Sequence, residues 1–75
     1  MPDMLADEKS IREILLQVCE ALCNKGYDPI SQISGYILSG DPTYITNNNN
    51  ARKLIGRIDK DELLRILIEN YLYRP

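Results

Sequence analysis

Apolar residues recur along this chain at helical spacing, and small punctuating residues cut the pattern into segments. Ile11, Ile14, Leu15, Val18 and Leu22 follow at intervals of three and four, which at ~100° per residue gathers them into one stripe. Ahead of the stripe, Ser10-Ile-Arg-Glu13 matches the S-x-x-E capping box, and behind it Gly26 can turn left-handed and stop a helix. The spacing predicts a first helix over 11–25. Asp28-Pro29 opens the next, because Asp accepts from first-turn amides while Pro is preset for the first helical position. That second helix is expected over 29–39, with Ile30, Ile33 and Ile37 sharing a face, Gly35 permitting close approach of another helix, and Gly40 at its end. A second Asp41-Pro42 pair predicts a short turn at Thr43-Tyr44, and Thr46 with the run 47–50 of four asparagines reads as a loop ending in an N-cap. A third helix follows over 51–58, and Asp59 with Glu62 three residues later marks the start of a fourth over 60–73.

The fourth helix breaks the one-stripe rule. Leu63, Leu64, Ile66, Leu67, Ile68, Tyr71 and Leu72 take up about two thirds of its circumference, and only Glu62, Arg65 and Glu69 mark a wet side. A chain of 75 residues has little else with which to cover so wide an apolar surface. A second copy is the economical cover, and Leu63, Leu64, Leu67, Ile68 and Tyr71 are the expected dimer interface, with part of the first helix beside them. The expected fold is all-α: a compact bundle of four to five short helices, homodimeric, with 10–73 as one helical domain and 1–9 as a mobile tail.

Hydrophobic residues make up 44% of the chain, yet Phe and Trp are absent, so the core must be aliphatic with help from five tyrosines. The net charge of −2 contains no like-charge block that would call for nucleic acid. There is no signal segment and no run of 18 apolar residues, so no membrane insertion is expected and the cytoplasm is the expected compartment. The chain has no His, no GxxxxGK phosphate loop and no nucleophile beside an evident base, which argues against an enzyme, a catalytic residue or a cofactor.

Two constellations keep other functions open. Cys19 and Cys23 are one helical turn apart, too poorly placed for an intrachain disulfide; they read as small buried filler, with a zinc-sensing dimer, two thiolates from each copy, as an alternative. Lys53, Arg57 and Lys60 would form a basic row if the third helix ran into the fourth, giving a nucleic-acid-binding module over 51–60 as the other alternative. Asp59, Asp61 and Glu62 among them favour an ordinary solvated face. The segment Asp41, Pro42, Thr43 and Tyr44, with the asparagine run, is the candidate partner-contact loop, since rigid helices flank a stretch rich in polar groups.

The run GYDPISQISGYILSGDPTYITN over 26–47, followed by NNARKLIGRIDKDELLRILIENYL over 49–72, closely resembles the IreB-like family of small regulatory proteins from low-GC Gram-positive bacteria. The likeness covers roughly 10–73, and its length and unusual punctuation make it specific. The resemblance implies an all-helical homodimer without enzymatic activity. It also implies a negative regulator of cephalosporin resistance, acting downstream of a membrane Ser/Thr kinase that monitors cell-wall stress and toward a downstream protein it does not name. In that family the kinase modifies threonines ahead of the first helix. Residues 1–9 of this chain contain neither Thr nor Ser, so no phosphoacceptor is carried over.

Overall fold

The computed structural model describes residues 8–73, and among them it holds four α-helices, two single 3-10 turns and no strand. Helix α1 is Glu8–Asn24, α2 is Pro29–Ser39, α3 is Ala51–Ile55 and α4 is Lys60–Tyr73; the 3-10 turns, Pro42–Tyr44 and Asn48–Asn50, lie between α2 and α3. The all-α class read from the periodicity is what the chain adopts. Residues 1–7 lie outside the described residues, and so does most of the expected tail.

Local backbone chemistry explains the junctions. Gly26, at φ 86°, lets α1 close with a paired motif in which the Tyr27 N–H donates to the Leu22 carbonyl at 2.9 Å and the Gly26 N–H to that of Cys23 at 3.0 Å. Gly40, at φ 74°, ends α2 in the same left-handed region, and its N–H donates to the Tyr36 carbonyl at 2.8 Å. Asp28 is the N-cap of α2 with Pro29 at the first position, though its carboxylate accepts from the Ser31 hydroxyl at 2.7 Å rather than from a backbone amide.

Three expectations about these elements need correcting. Helix α1 begins two residues before Ser10, so that serine lies inside the helix and the capping box is not its start; Glu8 and Lys9 are strong helix formers and extend the segment. Helix α3 ends at Ile55 because the chain turns at Gly56, where the Arg57 and Ile58 amides donate to Leu54 and Ile55 instead of continuing the helical ladder. The basic row therefore does not share one helix: Lys60 begins α4, with its ammonium 5.3 Å from the ring centre of Tyr36. Within α2 it is Tyr36, not Ile30, that joins Ile33 and Ile37 on the inner side; Ile30 stands exposed in the first turn.

One apolar body unites the helices. Val18, Ala21 and Leu22 of α1 meet Tyr36, Ile45, Ala51 and Ile55, and a second group of Ile11, Ile58 and Leu63 adjoins it through Ile14, Leu15 and Ile37, which touch both. Ile45, in the segment between the 3-10 turns, is as fully buried as any helical residue. Among the described residues no charged or polar side chain is fully buried.

Candidate functional site

Two surfaces stand out, and the first is the outer side of α4. Leu63 is fully buried in the chain's own core and Ile66 packs against the same group. At ~100° per residue, Leu63, Ile66 and Asn70 form the inner side, while Leu67, Tyr71, Leu64, Ile68 and Leu72 occupy the adjoining arc of about 140°. Arg65, Glu69, Glu62 and Tyr73 take the rest of the circumference, and Lys60 and Asp61 of the first turn cap the outer arc at its N-terminal end. Every residue of that apolar arc is exposed, from Leu67 at 38% to Tyr71 at 89%. The helix thus has one wide apolar surface put to two uses: its inner edge ties it to its own chain, and the adjoining outer stripe is left uncovered. Leu63, expected among the interface residues, is on the inner edge because it lies next to Ile11 and Ile58 in the second apolar group. The uncovered surface starts at Leu64.

The second surface is the segment between α2 and α3. Asp41, Pro42, Thr43 and Tyr44 are all exposed, whereas Ile45 next to them is buried. Their polar groups are internally engaged, however: one Asp41 carboxylate oxygen accepts from the Thr43 N–H at 3.0 Å and from the Thr43 hydroxyl at 2.8 Å. These two bonds, the backbone one foremost, hold the Asp41 carboxyl below its ordinary range, with the Arg52 charge adding a smaller push in the same direction. The Tyr44 ring lies on Gly35, where a Cβ would fall 2.5 Å from Cε1 and 2.7 Å from Cδ1. Gly35 does serve a close approach, but of this ring and not of another helix.

Sequence reasoning missed the side chains that tether this segment. Gln32 donates from Nε2 to the Tyr44 carbonyl at 2.9 Å, Arg52 from Nε to the Ile45 carbonyl at 3.0 Å, and Asn48 from Nδ2 to the Ala21 carbonyl at 3.4 Å. Nothing in their local spacing marks them, because each reaches across the fold. Asn49 and Asn50 adopt φ 54° and 60°, so the asparagine run supplies two consecutive left-handed residues leading into α3, a conformation that Asn tolerates better than most residues. Asn50 occupies the N-cap position of α3 without a side-chain bond.

Cys19 is half-buried and Cys23 is exposed, so only the first approaches the expected role of buried filler. Burial, and then the charge of Cys23, push the Cys19 thiol above its ordinary value, the opposite of an activated thiolate. Among the described residues no group of three or more His, Cys, Asp or Glu stands together to hold a metal ion. No described helix is long and apolar enough to cross a membrane.

Comparison with known proteins decides the family. The model of the IreB regulatory phosphoprotein family matches residues 3–73. The chain belongs to that family. A curated relative described as a UPF0297 protein, from Ruminiclostridium cellulolyticum (strain ATCC 35319 / DSM 5812 / JCM 6584 / H10), is 55% identical over 65 residues, covering 87% of this chain and 74% of the relative. The IreB likeness read from the segments 26–47 and 49–72 is therefore correct, and the matched span includes both surfaces described above.

Proposed function

We propose that this member of the IreB family is a non-enzymatic regulator that works by binding proteins, and that its working form is a homodimer joined through the outer stripe of α4. The observation that carries this reading is the exposed apolar arc of Leu64, Leu67, Ile68, Tyr71 and Leu72, on a helix that has already met its own core through Leu63 and Ile66. A contiguous apolar face on so small a chain is costly in water unless another surface covers it. Two copies related by a two-fold axis would each cover the other's stripe, since such an interface uses the same patch twice. Leu16 on α1 is also exposed.

Within the resemblance stated above, the regulator acts in the cytoplasm as a negative regulator of cephalosporin resistance, downstream of a membrane Ser/Thr kinase. A family description as a regulatory phosphoprotein supports a role of this kind. The segment Asp41, Pro42, Thr43 and Tyr44 supplies the contact with the downstream protein, because it is exposed yet held in one shape by its tethers. The alternatives through 51–60 and through Cys19 and Cys23 have less behind them: α3 stops before its basic residues could align with Lys60, and the thiols would need ligands from another copy.

Growth on a cephalosporin tests the reading in cells that naturally make the protein. Deleting it should raise resistance, and replacing it with Leu67→Glu, which puts a charge in the middle of the outer stripe, should resemble deletion while the variant still accumulates. Unchanged resistance after deletion would remove the regulatory role. A fully active Leu67→Glu protein would remove the dimer from it.

A further inference from the structure

The chain carries six Ser and Thr hydroxyls, and all six lie among the described residues. Ser10 is in α1; Ser31, Ser34 and Ser39 are in α2. Ser31 donates to the Asp28 carboxylate at 2.7 Å, and Ser39 donates to the Gly35 carbonyl at 2.7 Å while accepting from the Asp41 N–H at 3.0 Å. Thr46 is half-buried and accepts from the Asn48 N–H at 3.2 Å. Thr43 alone is both exposed and outside an α-helix.

That placement matters for group transfer. A hydroxyl receives a phosphoryl group only when it can be set in line with the phosphorus, which a side chain within an α-helix cannot do without unwinding its neighbours. The three-residue turn Pro42–Tyr44 is closed by two backbone bonds, the Tyr44 N–H to the Asp41 carbonyl at 3.2 Å and the Ile45 N–H to the Pro42 carbonyl at 3.0 Å, besides the Asp41 cap on Thr43. Presenting Thr43 therefore breaks these two bonds and the Asp41 cap, while Tyr44 and Ile45 beyond it can stay seated.

We propose that Thr43 is a phosphoacceptor of this chain and that its phosphate releases the Pro42–Tyr44 turn from the Asp41 cap; the proposal rests on the kinase-linked reading above. The Thr43 Oγ1 attacks the γ-phosphorus of a nucleoside triphosphate held by a Ser/Thr kinase. A new O–P bond forms, the bond to the bridging oxygen breaks, its electron pair leaves with the nucleoside diphosphate, and the hydroxyl proton passes to a base of the kinase. The product carries a charge of about −2 and no hydroxyl donor. It stands two residues from Asp41, whose carboxylate loses the 2.8 Å bond from Oγ1 and meets a like charge instead.

Nearby residues convert this local change into a larger one. Tyr44 and Ile45, the next two residues, are the ones that seat the segment, by the ring on Gly35 and by full burial in the core. Arg52, already bonded to the Ile45 carbonyl at 3.0 Å and contributing to the field at Asp41, is the nearby cation that would answer the phosphate. Drawing the guanidinium toward phosphate takes it from Ile45. The surface formed by 41–44 would thus differ between the two states in shape as well as charge.

The test isolates the full chain from cells that naturally make it, grown with and without a cell-wall antibiotic and with phosphatases blocked, and maps phosphate by peptide mass spectrometry. Phosphate on Thr43, kept at position 43 in Thr43→Ser and lost in Thr43→Val, is the expected result. The wild-type map stands alone should Thr43→Val accumulate poorly. In the phosphorylated form, amide exchange at Tyr44 and Ile45 should be about tenfold faster, the effect of losing one charge-assisted bond. Phosphate on another serine, threonine or tyrosine would overturn the Thr43 assignment and leave the kinase-linked reading standing. No phosphate under either growth condition would overturn both, and unchanged exchange in a protein phosphorylated at Thr43 would overturn the release of the turn.

Discussion

Replacing Gly35 by alanine opposes two effects of known sign. Alanine in the interior of α2 should favour the helix by roughly 1 kcal/mol over glycine. Against that, the new Cβ would stand 2.5 Å from Tyr44 Cε1, 2.7 Å from Cδ1 and 2.9 Å from Cζ. Ordinary carbon contacts lie near 3.5–4.0 Å, so the ring must retreat by about 1 Å. It cannot do so freely, because the Tyr44 carbonyl is held by Gln32 at 2.9 Å and the next residue, Ile45, is locked in the core. Overpacking of this kind costs roughly 2–3 kcal/mol, leaving a net loss of about 1–2 kcal/mol. Melting followed by circular dichroism at one fixed protein concentration should then show a fall of roughly 5–10 °C for a domain of this size. The decisive comparison repeats the substitution in a Tyr44→Ala background. With the ring gone, only the helix term remains, so Gly35→Ala should there stabilise by about 1 kcal/mol, a reversal of sign. Equal stabilisation in both backgrounds would refute the packing of Tyr44 on Gly35 and the account of how the 41–44 segment is seated.

Ile45→Ala should cost about 2–5 kcal/mol in urea unfolding, as for a core helix residue, and a loss below about 0.5 kcal/mol would mean that the segment is not anchored in the core. Gly40→Ala should cost about 1–2 kcal/mol, because φ 74° is left-handed and unfavourable for any residue with a Cβ; no loss would show that the α2 terminus relaxes easily. For Asp41 the folded carboxyl lies below its ordinary range, so its contribution is present above the unfolded value and disappears as pH falls through the folded one. Carbon-detected NMR should accordingly place the Asp41 midpoint below that of a free aspartate, with Thr43 amide exchange rising as the group protonates, and an ordinary midpoint would deny the two bonds from Thr43.

How far the sequence foretold the molecule depends on how local each cause is. The stops at Gly26 and Gly40 and the starts at Asp28-Pro29 and Asp59 were legible because a few adjacent atoms determine them. Ser10 misled because a capping box is equally local but must compete with helix formers before it, and Glu8 and Lys9 extend α1 past it. Periodicity located the apolar residues of α4 but could not divide them, since Leu63 and Leu64 are neighbours in sequence and only the position of Ile11 and Ile58 sends the first inward. Glycine at position 35 announced a close approach without naming the visitor, which lies nine residues further along. Gln32, Asn48 and Arg52 carried no signal, for each is an ordinary polar residue on a helix or turn until the fold brings a carbonyl within reach. The family motif was the most specific signal in the chain, and it concerns lineage more than mechanism.

Sedimentation equilibrium of the full-length protein over a range of concentrations tests most directly whether the outer stripe of α4 is shared by two copies. The account predicts a mass of twice the 8.6 kDa chain at micromolar concentration, falling to a single chain for Leu67→Glu with its helical spectrum intact. A wild-type mass of 8.6 kDa at every concentration would contradict it, as would a Leu67→Glu protein that sediments as a pair.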